Sequence, residues 1–336
     1  MESTRPHTQR TNLLLLFARF REVGIIAFIL LLLVVVGFAA PSFLSLGNLR
    51  AILMDISILA IVALFQAMTI ITRGIDLSVS SMIGLVAMMV AFTIRAYPFT
   101  PPVMLIFLGL ALGLFLGSIN GMVIALGRVP PIIATLGTLS IYRGLIFFYS
   151  NGTWINAFEL PTSFKQLAKT APFGLPNLVI FALIVGLIAY FFLNYTQAGR
   201  NIYALGTNPD AAQISGIRTN RVTFMVYALS GLACGLAGTL WASRFEAAQT
   251  NTALGFELQT VAACVVGGVS LLGGVGTVPG VLLGALLLGM IQNALTLVNI
   301  SPFWQLAVQG LLILLAVVAD ASIQQRLKQT TRRGGI

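Results

Sequence analysis

Apolar runs of about 20 residues recur along most of the chain, and short polar or Gly/Pro-rich turns separate them. About 20 apolar residues in a helix cross a bilayer core of about 30 Å. The third and eighth runs are the least continuous, because Ser, Gly or Thr interrupt them. The pattern predicts ten transmembrane helices, at 23–40, 49–71, 77–95, 103–126, 131–149, 177–194, 222–243, 257–273, 278–298 and 302–320.

The composition supports this all-helical membrane fold. Of the 336 residues, 58% are hydrophobic and only 8% are charged, whereas soluble domains have about 25% charged residues. A basic N-terminus before an apolar run is also typical of a signal peptide. However, the run 23–40 is long for a signal peptide and lacks a clear small-x-small cleavage pattern, so we expect it to remain as the first span.

The distribution of Lys and Arg predicts the orientation. With an even number of spans and both termini in the cytoplasm, 13 of the 19 basic residues face inward. Arg143 lies within the fifth span, and the remaining five face outward: Arg50, Arg95, Lys165, Lys169 and Arg244. The sequence therefore predicts an N-in, C-in protein of the bacterial inner membrane.

The spans divide into five plus five around an outer loop at 150–176. Because five is odd, the second half enters the membrane from the opposite side to the first, which predicts an inverted repeat. The expected organisation is a cytoplasmic tail at 1–22, a transmembrane domain at 23–320 and a basic cytoplasmic tail at 321–336. The longest cytoplasmic connection is 197–221.

Several kinds of chemistry are excluded or unsupported. His7, the only histidine, lies in the polar N-terminal tail, and Cys234 and Cys264 both lie in apolar runs. We therefore expect no catalytic residues, no metal site and no cofactor. The chain has no G-x-x-x-x-G-K-[ST] phosphate loop, so ATP hydrolysis of that kind would belong to a partner. It also has no soluble basic and aromatic face for nucleic acid.

The connection 197–221 contains a predicted short helix at 209–215. Asn208 suits the N-cap and Pro209 the first helical position, and Gly216 can end the helix in a left-handed conformation. Two turns of helix are not stable alone, so it must pack against something. Two interpretations follow from the residues: a loop helix that rests on the bilayer, or a docking helix for a cytoplasmic partner.

Uncharged polar residues within the spans are candidates for a solute pathway, because a neutral polyol is bound by amides and hydroxyls. The alternative is hydrogen bonding between helices, which is common in membrane bundles. A buried carboxylate is also a candidate, since charges within a membrane are costly and often functional. The candidate pathway residues are Asp55, Gln66, Asn120, Thr135, Thr138, Gln259, Gln292 and Asn293.

Two further charged residues have other expected roles. Asp76 lies at a Gly-bounded break between the second and third spans, where we expect it to cap the third helix. Arg143 requires a carbonyl or carboxylate partner, which fits a tie between helices as well as a contact to a ligand.

Four segments, in order along nearly the whole chain, resemble the permeases of ABC-type sugar importers in the ribose, rhamnose and autoinducer-2 group. The run at 141–144 and the later run at 152–155 are most similar to the rhamnose and autoinducer-2 permeases. The four segments are 74–79 (GIDLSV), 131–138 (PIIATLGT), 199–212 (GRNIYALGTNPDAA) and 267–274 (GGVSLLGG).

This resemblance implies a permease subunit that receives sugar from a periplasmic sugar-binding protein and passes it to the cytoplasm. It also implies cytoplasmic ATPase subunits and a second permease chain, identical or paralogous, in a membrane of lipid. The outer segments 150–176 and 244–254 are candidate docking surfaces for the binding protein, although the aromatic residues of the first favour an interfacial anchor. The ATPase-coupling residues would be Asn208, Pro209, Asp210, Ala211, Ala212, Gln213, Ile214, Ser215 and Gly216.

The main alternative is an ion-coupled secondary transporter of a small polar solute, with Asp55 or Asp76 as the proton site. A membrane-embedded enzyme has the least support, because the spans contain no histidine and no metal-ligand cluster.

Overall fold

The computed structural model describes residues 21–172 and 174–301, together with six separate positions between 304 and 318. Most of the predicted tenth span, most of the N-terminal tail and the basic C-terminal tail lie outside the described residues. The helices are α1 Arg21–Ala39, α2 Leu46–Ile71, α3 Val79–Ala96, α4 Pro102–Ala125, α5 Pro131–Ser150, α6 Thr162–Lys169, α7 Asn177–Tyr195, α8 Gln197–Thr207, α9 Pro209–Ile214, α10 Thr219–Phe245, α11 Phe256–Val266 and α12 Val278–Leu297.

Within the described residues, eight helices are long and apolar enough to cross a membrane. They correspond to eight of the ten predicted spans, so the multi-pass helical fold is confirmed. The predicted span at 257–273 differs, because α11 ends at Val266 after 11 residues. Gly268, Gly273 and Gly274 then adopt positive φ angles, which a regular helix does not allow. The following segment 267–277 is non-helical, and its first residues are buried in protein, as irregular backbone at membrane depth requires.

The centre of the fold is formed by α2, α3 and α10, which are mostly buried, whereas about a third or less of α1, α4, α5 and α7 is buried. The long helix α2 contacts α7, α10, α11 and α12. Its inner part, 56–71, is buried on all sides, and Ile61 and Met68 are fully buried. Most of these residues are apolar, which is typical of a helix in the interior of a membrane bundle.

The tightest helix pair is α4 with α10, and glycines spaced four apart make it possible. A Cβ atom on Gly113 would lie 2.2 Å from the carbonyl oxygen of Gly231, and a Cβ on Gly231 would lie 2.2 Å from that of Gly113. Gly117 and Gly235 continue the same backbone-to-backbone contact. This is the small-residue packing of membrane helices.

The packing also relates the two halves of the chain. The second long helix of the C-terminal half, α10, packs on α4 of the N-terminal half, and α2 of the N-terminal half packs on α12 of the C-terminal half. Each half thus contributes its most buried helix to the other. The five-plus-five inverted repeat itself stays a prediction.

Connections at the same end of the bundle contact each other. At the predicted cytoplasmic end, the backbone N–H of Gly274 donates to the carbonyl of Ile71 at 2.9 Å. At the predicted outer end, Ile155 and Ala248 form an isolated antiparallel bridge between the two outer loops, with N···O distances of 2.9 and 3.1 Å. The grouping of these contacts agrees with the alternation of spans predicted from the sequence.

Candidate transport site and coupling helix

A cavity of about 300 Å³ lies between α2, α11 and α12. Its polar lining includes four of the eight pathway residues predicted from the sequence, contributed by three helices that are distant in the chain. Apolar side chains, among them Leu59 and Phe256, form the rest of its wall. The polar lining residues are Asp55, Gln259, Gln292, Asn293 and Thr296.

Helical periodicity explains why these residues share one face. On α12 the lining positions are Gly289, Gln292, Asn293 and Thr296, which are spaced as i, i+3, i+4 and i+7. On α2 the lining positions 52, 55, 56 and 59 have the same spacing. The spacing of these residues in the sequence therefore indicated which residues share a face of each helix. It did not indicate which helices face one another.

Two polar pairs at the outer end border this cavity. An Arg244 guanidinium nitrogen lies 3.2 Å from an Asp55 carboxylate oxygen, and about half of the Asp55 side chain, 51%, is exposed. Asn48 and Asn293 exchange two side-chain hydrogen bonds of 2.9 and 3.0 Å. Sequence reasoning missed Asn48 and Arg244 as partners, because they are 245 and 189 residues from Asn293 and Asp55.

The lining suits a neutral hydroxylated solute. Amide side chains supply donors and acceptors without a fixed charge, while the aliphatic and aromatic wall offers an apolar surface, as in most small-molecule sites. The Phe256 ring is held edge-on by Trp241, with ring centroids 5.3 Å apart. The exposure of Asp55 shows that the cavity is open to the exterior of the single chain.

The other predicted polar residues lie outside this cavity. Gln66 and Asn120 are fully buried and belong to a polar cluster around Asp76. One Asp76 oxygen accepts from the Ser78 hydroxyl and backbone N–H at 2.6 and 3.1 Å, and the other accepts from the Ser230 hydroxyl at 2.9 Å. The predicted helix cap by Asp76 is therefore wrong, because the N-cap residue of α3 is Ser78, and Asp76 instead ties this residue to α10.

Asn120 and Gln66 complete this cluster. The Asn120 amide donates to the Ser78 hydroxyl at 2.7 Å. The Gln66 amide, oriented so that its nitrogen faces a carbonyl, pairs with the backbone of Asp76 at 3.1 and 3.2 Å. These contacts join α2, α3, α4 and α10, which is the helix-to-helix bonding considered as the alternative for such residues.

The two threonines of α5 bond mainly to their own helix. Thr135 donates to the carbonyls of Pro131 at 2.9 Å and Ile75 at 3.2 Å, and Thr138 donates to Ala134 at 3.2 Å. A role for Gln66, Asn120 and these threonines in a solute pathway stays a prediction.

Arg143 ties α5 to the outer loop between α10 and α11. One guanidinium nitrogen donates to the carbonyls of Thr250 at 3.1 Å and Thr252 at 2.9 Å. Of the two roles open to this arginine from the sequence, these contacts correspond to the structural tie.

The outer loops are also joined by ion pairs. Lys169 pairs with Glu246, and its hydrogen bond and charge hold the pKa of Glu246 below its usual value. Arg95 lies 3.0 Å from Glu159. The pKa of Glu159 is lowered chiefly by the hydrogen bond from the backbone N–H of Asn156, at 2.9 Å, and further by Arg95.

The predicted short helix is present as α9, and its ends form as the capping residues indicate. The Asn208 side chain accepts hydrogen bonds from the backbone N–H groups of Asp210 and Ala211, both at 3.1 Å. At the other end Gly216 has a φ of 84°, and the N–H of Ile217 donates to the carbonyl of Ala212 at 3.0 Å. This is a left-handed helix termination.

One side of α9 is packed and the other is bare. Ala212 is buried, with 4% exposure, whereas Ile214 is 88% exposed. The helix stands at the predicted cytoplasmic end, immediately after α8. An almost fully exposed isoleucine on a two-turn helix is an apolar surface that a partner can cover.

A bundle of apolar helices with a polar cavity between them and an exposed helix at one end defines a membrane transport permease, a transporter subunit and not an enzyme. The chain matches the family described as branched-chain amino acid transport system / permease component over residues 48–317, and it belongs to that family. It is accordingly a multi-pass protein of the bacterial inner membrane. No solved structure matches the chain.

Three similar proteins have import functions in their names. The chain is 38% identical over 294 residues to the ribose import permease protein RbsC of Escherichia coli, which covers 87% of this chain and 91% of that protein. It is 37% identical over 323 residues to the galactose/methyl galactoside import permease protein MglC of Escherichia coli, covering 92% and 96%. It is 36% identical over 312 residues to the autoinducer 2 import system permease protein LsrC of an Enterobacter species, covering 93% and 90%.

Proposed function

We propose that this chain is the membrane-spanning permease of an ATP-driven importer that carries a sugar or a sugar-like polyol into the cytoplasm. Its relatives are named for ribose, galactose and autoinducer 2. The cavity between α2, α11 and α12 presents amides from three of its positions and an apolar wall, which suits neutral hydroxylated solutes of this kind.

The observation that carries the proposal is the exposed helix α9. It is capped at both ends, one side is packed on the bundle, and Ile214 faces outward. A helix this short has little stability of its own. Its packing on the bundle through Ala212 therefore keeps it helical, with the other side free to contact a partner. We assign to it, with residues 208–216, the role of the coupling helix that seats in cytoplasmic ATPase subunits.

The remaining partners follow from the cavity and the outer end. The cavity is open on the single chain, and a second permease chain, identical or paralogous, would close it within the lipid bilayer. The outer loops 150–176 and 244–254 are bonded to each other through Ile155 and Ala248. They would form one docking surface for a periplasmic sugar-binding protein.

The coupling role predicts a specific loss of assembly. Ile214→Asp would place a charge on the exposed face of α9 that the ATPase is proposed to cover. We therefore expect co-purification with the ATPase to fall at least tenfold while the melting temperature of the permease is unchanged. Leu254→Asp is the matched control, because Leu254 is also strongly exposed, at 72%, but lies at the outer end. This control should keep the ATPase.

Full ATPase binding together with full ATP-driven uptake in Ile214→Asp would contradict the coupling role. The pathway role of the cavity is tested separately by Gln259→Ala, which should reduce uptake of ribose or galactose in proteoliposomes without loss of the ATPase. Uptake that an uncoupler abolishes while ATP remains high would favour the ion-coupled alternative.

A further inference from the structure

Arg73 lies in the break between α2 and α3 and reaches across to the end of α8. Its Nε donates to the carbonyl of Gly206 at 2.6 Å, and its Nη2 donates to the carbonyl of Thr207 at 2.7 Å. These are the last two residues of α8, whose carbonyls have no partner within the helix. A guanidinium at this position also complements the negative end of the helix dipole.

The backbone around this contact is closely packed. A Cβ atom on Gly206 would lie 1.8 Å from the carbonyl oxygen of Ile71, and one on Gly273 would lie 2.4 Å from the Arg73 side chain. The Tyr203 hydroxyl donates to the carbonyl of Gly276 at 2.8 Å. The ends of α2 and α8 and the segment 267–277 are therefore held together by backbone contacts and by one charged side chain.

One of the three parts leads to α9, and the other two lead to the cavity. The end of α8 continues directly into Asn208, the N-cap of α9. Helix α2 leads back to the cavity through Asp55, and the segment 267–277 connects α11 with α12, which carry the cavity residues Gln259 and Gln292. A displacement of α9 that is transmitted through this contact would reach all three helices that line the cavity.

We propose that Arg73 is a positioning residue that couples movement of α9 to the cavity, by clamping the end of α8 to the α2–α3 break and the segment 267–277. This proposal rests on the proposed function, since it takes α9 to be the helix that the ATPase moves. The planar guanidinium donates to two carbonyls at once, and a lysine ammonium at the end of a flexible chain does not reproduce that geometry.

The test compares Arg73→Gln and Arg73→Lys with Arg200→Gln in the complete complex. Arg200 is the matched control, because it is an arginine of α8 with an exposed side chain. The permease, ATPase and binding protein are reconstituted in proteoliposomes, and ATP hydrolysed and ribose or galactose imported are measured together. Assembly with the ATPase and the melting temperature are measured on the same preparations.

We expect Arg73→Gln to assemble and to hydrolyse ATP, but to hydrolyse at least fivefold more ATP for each sugar imported. Arg73→Lys should be intermediate, and Arg200→Gln should match the wild type. A wild-type ratio in both Arg73 variants would overturn the proposal. So would loss of ATPase assembly in both, since Arg73 would then only hold the fold. Failure of the wild-type complex to bind an ATPase would instead refute the proposed function.

Discussion

The close contact between α4 and α10 gives a stability prediction with its own internal control. Gly113→Ala places a methyl group 2.2 Å from the carbonyl oxygen of Gly231 and 2.6 Å from the backbone of Gly235. The obstacle is backbone, which cannot rotate away as a side chain would, so the two helices must separate by about 1 Å to reach an ordinary van der Waals distance. The same substitution at Gly144 of α5 meets nothing within 4 Å.

The two variants should differ in sign. Alanine is favoured over glycine in a helix by about 1 kcal/mol, so Gly144→Ala should be neutral or slightly stabilising. Overpacking costs about 1–3 kcal/mol and sometimes more, and the clash at Gly113 belongs to the upper end because the whole helix must move. The net effect of Gly113→Ala is a destabilisation of about 2 kcal/mol.

The assay is the apparent melting temperature in a mild detergent, followed by the loss of the folded peak in size-exclusion chromatography. A change of 1 kcal/mol corresponds to a shift of about 2 °C for a chain of this size. Gly113→Ala should therefore melt about 4 °C below the wild type, and Gly144→Ala at or slightly above it. Equal melting of the two variants would refute the packing argument. The double variant with Gly231→Ala should lose less than the sum of the single losses, because both methyl groups separate the same helices.

Two other outcomes follow from the polar contacts. Asp76→Ala leaves three buried donors without an acceptor, at a cost of about 1–3 kcal/mol each. Its melting temperature should therefore fall well below that of Ser230→Ala, which removes one hydrogen bond. Equal losses in the two variants would contradict this prediction. The lowered pKa of Glu246 means that its pairing with Lys169 stabilises the fold above a pH of about 4.5 and is lost as the pH falls through the lower folded-state pKa. The melting difference between wild type and Glu246→Gln should therefore shrink as the pH falls below about 4.5, and a difference that grows with falling pH would count against the pair.

Local sequence signals predicted the elements well. Apolar length located the eight long helices, and the capping residues Asn208 and Gly216 located the ends of α9. Both signals act within a few residues of the chain, where backbone hydrogen bonding decides the structure. The prediction at 257–273 was wrong for the same kind of reason. Its average apolarity was high, but Gly268, Gly273 and Gly274 take positive φ angles that end the helix early.

The site depended on contacts that sequence spacing does not encode. The sequence placed Asp55, Gln259, Gln292 and Asn293 among the pathway candidates, and the structure brings these four together. It did not separate them from Gln66 or Asn120, which are equally polar and equally within spans. What separates the two groups is which helix each residue faces, and that is set by close packing such as that of α4 on α10. A glycine face predicts that a close neighbour exists without identifying it.

Asp55 and Asp76 bear on the choice between an ATP-driven and an ion-coupled mechanism. A coupling carboxylate in a secondary transporter must bind and release its ion from alternate sides of the membrane. Asp76 is fully buried, and three donors from Ser78 and Ser230 satisfy its oxygens. Asp55 is half exposed at the outer end and pairs with Arg244. One carboxylate thus lacks access to water and the other already has a cationic partner, which favours the proposed ATP-driven mechanism over an ion-coupled one.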